Sequence, residues 1–460
     1  MRNPLLAPEV RELLQEGRQQ DLVSVLSEMH PSDAASIVSA LEPDEVVAVM
    51  SLLPLELERD VFGYLEPDVQ EQFAIGAGRE RVKNVLLSVF SDDRAAFLER
   101  LDERVREKLL PLLSKAARED LLRRSTFAED QVGSFLSTDY AVLNPRLTAR
   151  AAIAELRRQA PSKETIYYSY VLDRDGTLLG FVSLRDLILT PDDVQIGEVM
   201  RTELLSVTAD ADQEEAARLI RDYDLIALPV VDANRRLVGI VTHDDAVDIV
   251  EEEAQEDIEK MAGLTGHGTE PPATDGTESV FWQFRRRAPV ISLLALFWVI
   301  TATVIQGFEE HLKAGPVLLL ALLPMVMATG GMVGTQASAL VIRALTVGTV
   351  GGNVRTVLWK EIRIALIMAV TLAGIAFVDA LVVSRAEADP PEWAVVAHTG
   401  VVIALAMSLH VLSAAILGAI TPIVVKRLRG DPAMISTPAV TAIADLTGAA
   451  IYLVLVMLLV

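Results

Sequence analysis

The sequence predicts a multidomain chain in three parts: an α-helical superhelical N-domain, an α/β pair of duplicated units, and an all-α polytopic membrane domain with five transmembrane helices. Three observations predict it. Residues 281–460 are apolar and carry 12 basic and 9 acidic residues, leaving 29 basic and 55 acidic residues for 1–280. Residues 171–186 and 230–245 repeat one pattern. Upstream of both, prolines 31, 43, 54 and 67 punctuate short helical runs.

The acidic half argues against nucleic acid and in favour of cations as partners. The chain has no cysteine, which excludes a disulfide framework and thiolate metal sites and suits a reducing compartment. The first residues, Met1-Arg-Asn-Pro-Leu-Leu-Ala-Pro-Glu, show no signal-peptide apolar region, so the first 280 residues are expected in the cytoplasm.

Within residues 1–130, the prolines at 31, 43, 54 and 67 each have an acidic residue within two positions behind them, as in Glu42-Pro43-Asp44 and Glu66-Pro67-Asp68. Proline is tolerated in a first helical turn, and acids there complement the helix dipole. Val46, Val47, Met50 and Leu53 then follow at helical spacing. Further helices are predicted from Ser91-Asp92-Asp93-Arg94 and Leu101-Asp102-Glu103. Short helices that cannot bury a face alone imply a small superhelical stack.

Residues 131–250 hold the duplication. Val171-Leu-Asp-Arg-Asp-Gly-Thr-Leu-Leu-Gly-Phe-Val-Ser-Leu-Arg-Asp186 matches Val230-Val-Asp-Ala-Asn-Arg-Arg-Leu-Val-Gly-Ile-Val-Thr-His-Asp-Asp245. Each copy reads as strand, polar turn, strand, then a helix capped by Ser183 or Thr242. Helices over Ala149–Gln159 and Asp212–Asp222 precede the copies. Gly-[Phe/Ile]-Val-[Ser/Thr]-x-x-Asp in both copies resembles a tandem CBS-domain pair. That resemblance implies a regulatory module, often binding adenine nucleotides. It places Asp186 and Asp245 on a ribose and Ser183 and Thr242 near phosphate, with Tyr168 and Arg185 beside them. Helix capping alone also accounts for these residues.

Residues 251–283 form an acidic connecting helix and a linker. Asp244, Asp245, Asp248, Glu251, Glu252, Glu253, Glu256, Asp257 and Glu259 crowd one helical pattern. Like charges at i,i+4 repel by about a few tenths of a kcal/mol each. Such a helix is either a solvated face or a divalent-cation site, and its place just before the membrane half favours the cation. Gly263–Glu278 reads as a Gly/Thr/Pro-rich linker.

Residues 284–460 hold five apolar spans, at about 288–307, 316–341, 362–383, 394–425 and 435–460. Arg285–Arg287, the 343–363 connection and Lys426-Arg427-Leu-Arg429 fall on one side. Glu309–Lys313 and Ser384–Glu392 fall on the other. The positive-inside rule then puts the N-terminal half in the cytoplasm and Val460 outside. Gly330, Gly331 and Gly334 allow close helix approach or local unwinding in the second span. Asp445 lies well inside the last span, where a carboxylate must face protein, water or a cation. His398 and His410 are expected to be packed rather than ligating, and Asp379 to reach the interface. No Ser/His/Asp set, phosphate loop or metal-ligand spacing on one helix supports an enzyme.

Thr165-Ile-Tyr-Tyr168, Asp212-Gln-Glu-Glu215, Tyr223-Asp224-Leu225, Leu228-Pro-Val-Val231, Glu251-Glu-Glu-Ala-Gln-Glu-Asp-Ile258, Asp431-Pro-Ala433 and Thr441-Ala-Ile-Ala-Asp445-Leu-Thr-Gly448 are specific local motifs. With these motifs and this order of parts, the chain resembles the MgtE magnesium transporters. The resemblance implies a homodimer in the plasma membrane, with a cytoplasmic cation sensor closing a pore. Asp445 from both subunits would be the pore ligand, with Gly330, Gly331, Gly334, Gln336 and Thr441 lining the path. The sensor acids would be Asp212, Glu214, Asp224, Asp245, Asp248, Glu253, Glu256 and Asp257, with Asp92 or Asp93. Mg2+ is the implied ion, and ATP the nucleotide implied for the CBS pair. Two departures mark this chain. Gly330-Gly-Met-Val-Gly-Thr-Gln336 has no amide at Met332, and Ser436-Thr-Pro438 has none before the proline. Transport of Co2+, Mn2+ or Ca2+ under the same gate, and a non-conducting cation or nucleotide receptor, are the competing expectations.

Overall fold

The structure is a computed structural model. It describes residues 6–264, 280–310, 316–346, 354–385 and 392–460, without the side chains of 346 and 434–437. Most of the expected linker, the loop residues 311–315 and 386–391, and the side chains of Ser436 and Thr437 lie outside the described residues. The chain divides into two compact units, Met1–Glu251 and Glu252–Val460.

The first unit begins with short helices that start where the proline pattern predicts: Pro31–Val38, Pro43–Leu52, Leu55–Tyr64 after Pro54, and Pro67–Gly76. Ser91–Arg100 and Glu103–Leu109 continue the series. From Pro31–Val38 to Ser91–Arg100, each helix packs on the one two places further along, which is the geometry of a superhelical stack. Phe62 lies at its centre, with Phe73 at 5.8 Å and Phe97 at 5.2 Å between ring centroids. The one carboxylate of the stack that is wholly buried, Glu58, accepts from Arg81 Nε at 2.7 Å.

The duplicated region forms two three-stranded sheets of identical order. The first holds β1 (Tyr140–Leu143), β2 (Thr165–Leu172) and β3 (Leu178–Ser183); the second holds β4 (Val207–Thr208), β5 (Ala227–Val231) and β6 (Leu237–Thr242). In each, the first pair is parallel and the second antiparallel. Tyr170 and Leu178 from one copy share a core with Ala227, Val231, Leu237 and Ile240 from the other. The two sheets therefore hold each other.

Among the described residues, the second unit contains five helices long and apolar enough to cross a membrane. They are Val280–Gly307, Val317–Thr346, Val354–Arg385, Trp393–Arg427 and Pro432–Leu459. The fourth packs on the second, third and fifth. Of the two roles open to the second-span glycines, close approach is the one adopted, because that helix runs unbroken. Gly418 of the fourth helix lies directly on the Gly334 carbonyl of the second, leaving no room for a Cβ.

Overpacking at such a crossing costs about 1–3 kcal/mol. Gly418→Ala should lower the thermal midpoint of the detergent-solubilised protein. Gly374→Ala, beside open space, should leave it unchanged or raise it. Equal midpoints for the two variants would contradict the crossing.

Candidate cation sites

Three segments of the first unit converge on one group of carboxylates. Asp92 stands in the first turn of helix Ser91–Arg100. Its neighbour Ser91 donates from N to Asp139 Oδ2 at 2.9 Å and accepts from Thr138 N at 2.8 Å. Glu164 immediately precedes β2, and its N donates to the Asp139 carbonyl at 2.9 Å. Asp245 lies just after β6 and accepts from Thr242 N at 3.0 Å and Thr242 Oγ1 at 2.7 Å. Among the described residues, Asp92, Glu164 and Asp245 can each offer an oxygen with all three within 4.8 Å of one another. Asp92 Oδ1 and Glu164 Oε2 are buried without a hydrogen-bond partner.

Burial is the main cause of the electrostatics here, and facing carboxylates add to it. Asp92 is held well above the usual carboxylate range, Glu164 is pushed up to about 7 and Asp93 to about 6. Asp245 and Asp248 are raised too. The buried Arg124, whose Nε reaches Asp120 at 3.2 Å, offsets part of the effect at Asp92. Hard carboxylate oxygens with unused lone pairs suit a hard divalent cation.

The other expected sensor residues are placed differently. Asp212 caps helix Gln213–Asp222, accepting from Glu214 N at 2.8 Å. Glu214 is exposed in its first turn. Asp224 follows the helix in the left-handed region at φ 50°. Asp93 faces Asp244, Asp245 and Asp248. Glu253, Glu256 and Asp257 are half-buried and belong to the second unit. There Lys260 Nζ lies 2.9 Å from Glu256 Oε1 and 2.7 Å from Asp431 Oδ2. Asp431 also caps the last helix by accepting from Ala433 N at 2.8 Å. Arg286, near the start of the first membrane helix, pairs with Glu259.

The two sequence copies use their capping residues differently. Ser183 Oγ accepts from Asp186 N at 3.0 Å, while Asp186 pairs with Arg201 at 3.2 Å. Thr242, expected to cap in the same way, instead donates its hydroxyl to Asp245. A carboxylate held among other carboxylates gains more from a hydrogen bond to its oxygen than the helix start gains from a hydroxyl acceptor. Tyr168 packs edge-on against Phe181 at 5.2 Å, and Arg185 is exposed.

In the second unit, Asp445 is half-buried and accepts from Trp298 Nε1 at 3.1 Å through Oδ2. Its Oδ1 lies 3.5 Å from where a side chain on Gly331 would begin. Thr441, one turn earlier, holds its hydroxyl 3.3 Å from that of Thr335. Gly330 and Gly448 both pack on the buried ring of His410, whereas His398, Gln336 and Met332 are exposed on the chain. Asp379 is half-buried towards the end of the third helix. Glu164 and Trp298 have no sequence motif pointing to a site, and Asp431 stands out only within Asp431-Pro-Ala433, without a role. Glu164 stands beside Thr165-Ile-Tyr-Tyr168, the signal that could have found it.

Residues 323–455 match a family model described as a divalent cation transporter. Residues 29–130 match the MgtE intracellular N domain, and 132–191 and 196–252 match CBS domains. The magnesium transporter MgtE of Thermus thermophilus is 34% identical over 455 residues, covering 97% of each chain. The chain belongs to the MgtE family. The Bacillus subtilis magnesium transporter MgtE is 31% identical, covering 96% of this chain and 94% of its own. Two solved structures agree with the MgtE assignment. The cytosolic domain of the Mg2+ channel MgtE in complex with ATP is 36% identical with a TM-score of 0.50, covering 53% of this chain and 100% of that one. The soluble part of a magnesium transporter is 28% identical with a TM-score of 0.51, covering 54% and 98%.

Carboxyls held above their ordinary values near about 4 bind protons more tightly when folded. Their contribution to stability is complete below that value and lost as pH rises through about 6, for Asp93, to about 7, for Glu164. In chelator, the thermal midpoint of the first unit within the full chain should fall between about pH 5 and about pH 8. Millimolar Mg2+ should offset the loss at the upper pH and do little at the lower, and Asp92→Asn should flatten the profile. A flat metal-free profile for the unaltered chain would contradict the cluster.

Proposed function

We propose that this chain is a Mg2+ channel or transporter of the plasma membrane, working as a homodimer and closed from the cytoplasmic side by Mg2+ itself. The observation that carries the reading is the end-to-end match to magnesium transporters, over a chain whose last helix keeps a carboxylate mid-span. The N-terminal domains face the cytoplasm and Val460 the outside, as the loop charges require. The working divisions are 1–130, 131–250, 251–283 and 284–460.

Magnesium is small, octahedral and strongly hydrated, and it meets one or two carboxylates while keeping several waters. Two Asp445 side chains across a dimer axis can hold such an ion through water and release it again. Gly330, Gly331, Gly334, Gln336 and Thr441 complete the path in this reading. Entry needs no fuel, since a divalent cation gains about 4.6 kcal/mol per 100 mV, from about 2.3 per unit charge.

Closure follows from the acid cluster. When cytosolic Mg2+ is high, the ion occupies Asp92, Glu164 and Asp245, joined by Asp93, Asp212, Glu214, Asp224, Asp248, Glu253, Glu256 and Asp257 at further regulatory positions. Repulsion among these acids is then offset and the compact state dominates. When Mg2+ is low, repulsion shifts the population towards the conducting state. The CBS pair takes ATP, with Tyr168, Ser183, Arg185 and Asp186 of the first copy as its contacts.

Asp445→Ala should abolish Mg2+ flux into proteoliposomes; unchanged flux would leave a receptor that conducts nothing. Co2+, Mn2+ and Ca2+ added as competitors test the ion, and preference for any of them over Mg2+ would overturn the choice. Neutralising Asp248, Glu253 and Asp257 together should keep flux high at millimolar internal Mg2+. Normal shut-off in that variant would sink the gate.

A further inference from the structure

Trp298 stands in the middle of the first apolar span, at about 288–307, nine residues and about 14 Å of helical rise from the end of its helix at Gly307. Membrane tryptophans concentrate at the two interfaces, where the indole N–H meets water. A mid-span indole has no such partner, and here its Nε1 donates to Asp445 Oδ2 at 3.1 Å. The donor comes from outside the second-span motif, where Met332 supplies no amide. Indole nitrogen is a donor only, so Trp298 cannot itself coordinate a cation. What it can do is take one of the two oxygens that Asp445 has to offer.

We infer that Trp298 is a specificity-determining residue of the ion path, engaging Asp445 Oδ2 so that the carboxylate meets a cation through Oδ1 alone. The inference rests on the reading of Asp445 as the pore ligand. Oδ1 is the oxygen beside Gly331, 3.5 Å from where a side chain there would begin, and it accepts nothing from the indole. A single oxygen suits a cation that keeps its water shell and needs little from the protein. Calcium takes six to eight oxygens and readily uses a carboxylate through both. To bind in that way it must first break the bond from the indole. Hydrogen bonds to charged acceptors are the stronger ones, and losing one shifts an equilibrium roughly tenfold or more. Trp298 thus acts as negative selection against bidentate ions, without touching the ion that passes.

The test is Mg2+ influx by the full-length chain in proteoliposomes at low internal Mg2+, competed with external Ca2+. Trp298→Phe should lower the Ca2+ concentration that halves the flux by about tenfold or more, from the lost hydrogen bond. Benzothienylalanine at 298, which keeps the bicyclic ring and lacks only the N–H, should give the same shift and stands in if the Phe variant does not fold. An unchanged Ca2+ response in the benzothienyl protein would overturn the inference, even if Phe shifts it, because ring bulk would then be the cause. Asp445→Asn separates the two readings. If it still conducts normally, the pore assignment fails; if it is inactive while the 298 variants discriminate as before, only this inference falls.

Discussion

Carboxylates withdrawn from water without matching positive charge are the constraint on which both parts of the molecule depend. Each such group costs several kcal/mol unless a cation, a hydrogen-bond donor or a proton meets it. In the first unit, Asp92, Glu164 and Asp245 are brought together, with two of their oxygens left unpartnered. In the membrane unit, Asp445 sits mid-span with one oxygen on an indole. A hydrophobic substitution would be the stable solution at either place. Retaining the acids makes sense only where something charged comes and goes.

The same charges supply a means of control. Helix His243–Met261 carries Asp245 near its start and Lys260 near its end. At that end, Lys260 sits between Glu256 and Asp431, and Asp431 in turn caps the helix that bears Asp445. The N-cap of the last helix therefore shares a cation with the acidic helix. Ion pairs of this kind, partly exposed, are modest individually and are easily rebalanced by a divalent ion.

Much of the fold was legible because its signals are local. Pro31, Pro43 and Pro67 open helices through a fixed backbone angle, and the two copied strand patterns produce two sheets of the same order. Asp92, Asp245 and Asp445 stood out because acids in helix starts or apolar spans are conspicuous. Glu164 did not, since a single acid before a strand has no pattern; only folding brings it beside residues 72 positions before it and 81 after it. Trp298 was hidden for a similar reason, because an aromatic in an apolar span looks like lipid-facing bulk until its N–H is seen on Asp445. Thr242 illustrates the opposite hazard. Its sequence position is that of Ser183, yet the neighbouring carboxylates redirect its hydroxyl to Asp245.

The proposed function requires the acids of both units to hold divalent cations. Mn2+ is close enough to Mg2+ in its preference for oxygen ligands to report on the same sites, and it scatters anomalously. Crystals of the full chain grown with Mn2+ should show one anomalous peak within coordinating distance of Asp92, Glu164 and Asp245, and a second beside Asp445 Oδ1. Peaks confined to exposed acids, with both places empty at saturating Mn2+, would contradict cation binding by these carboxylates.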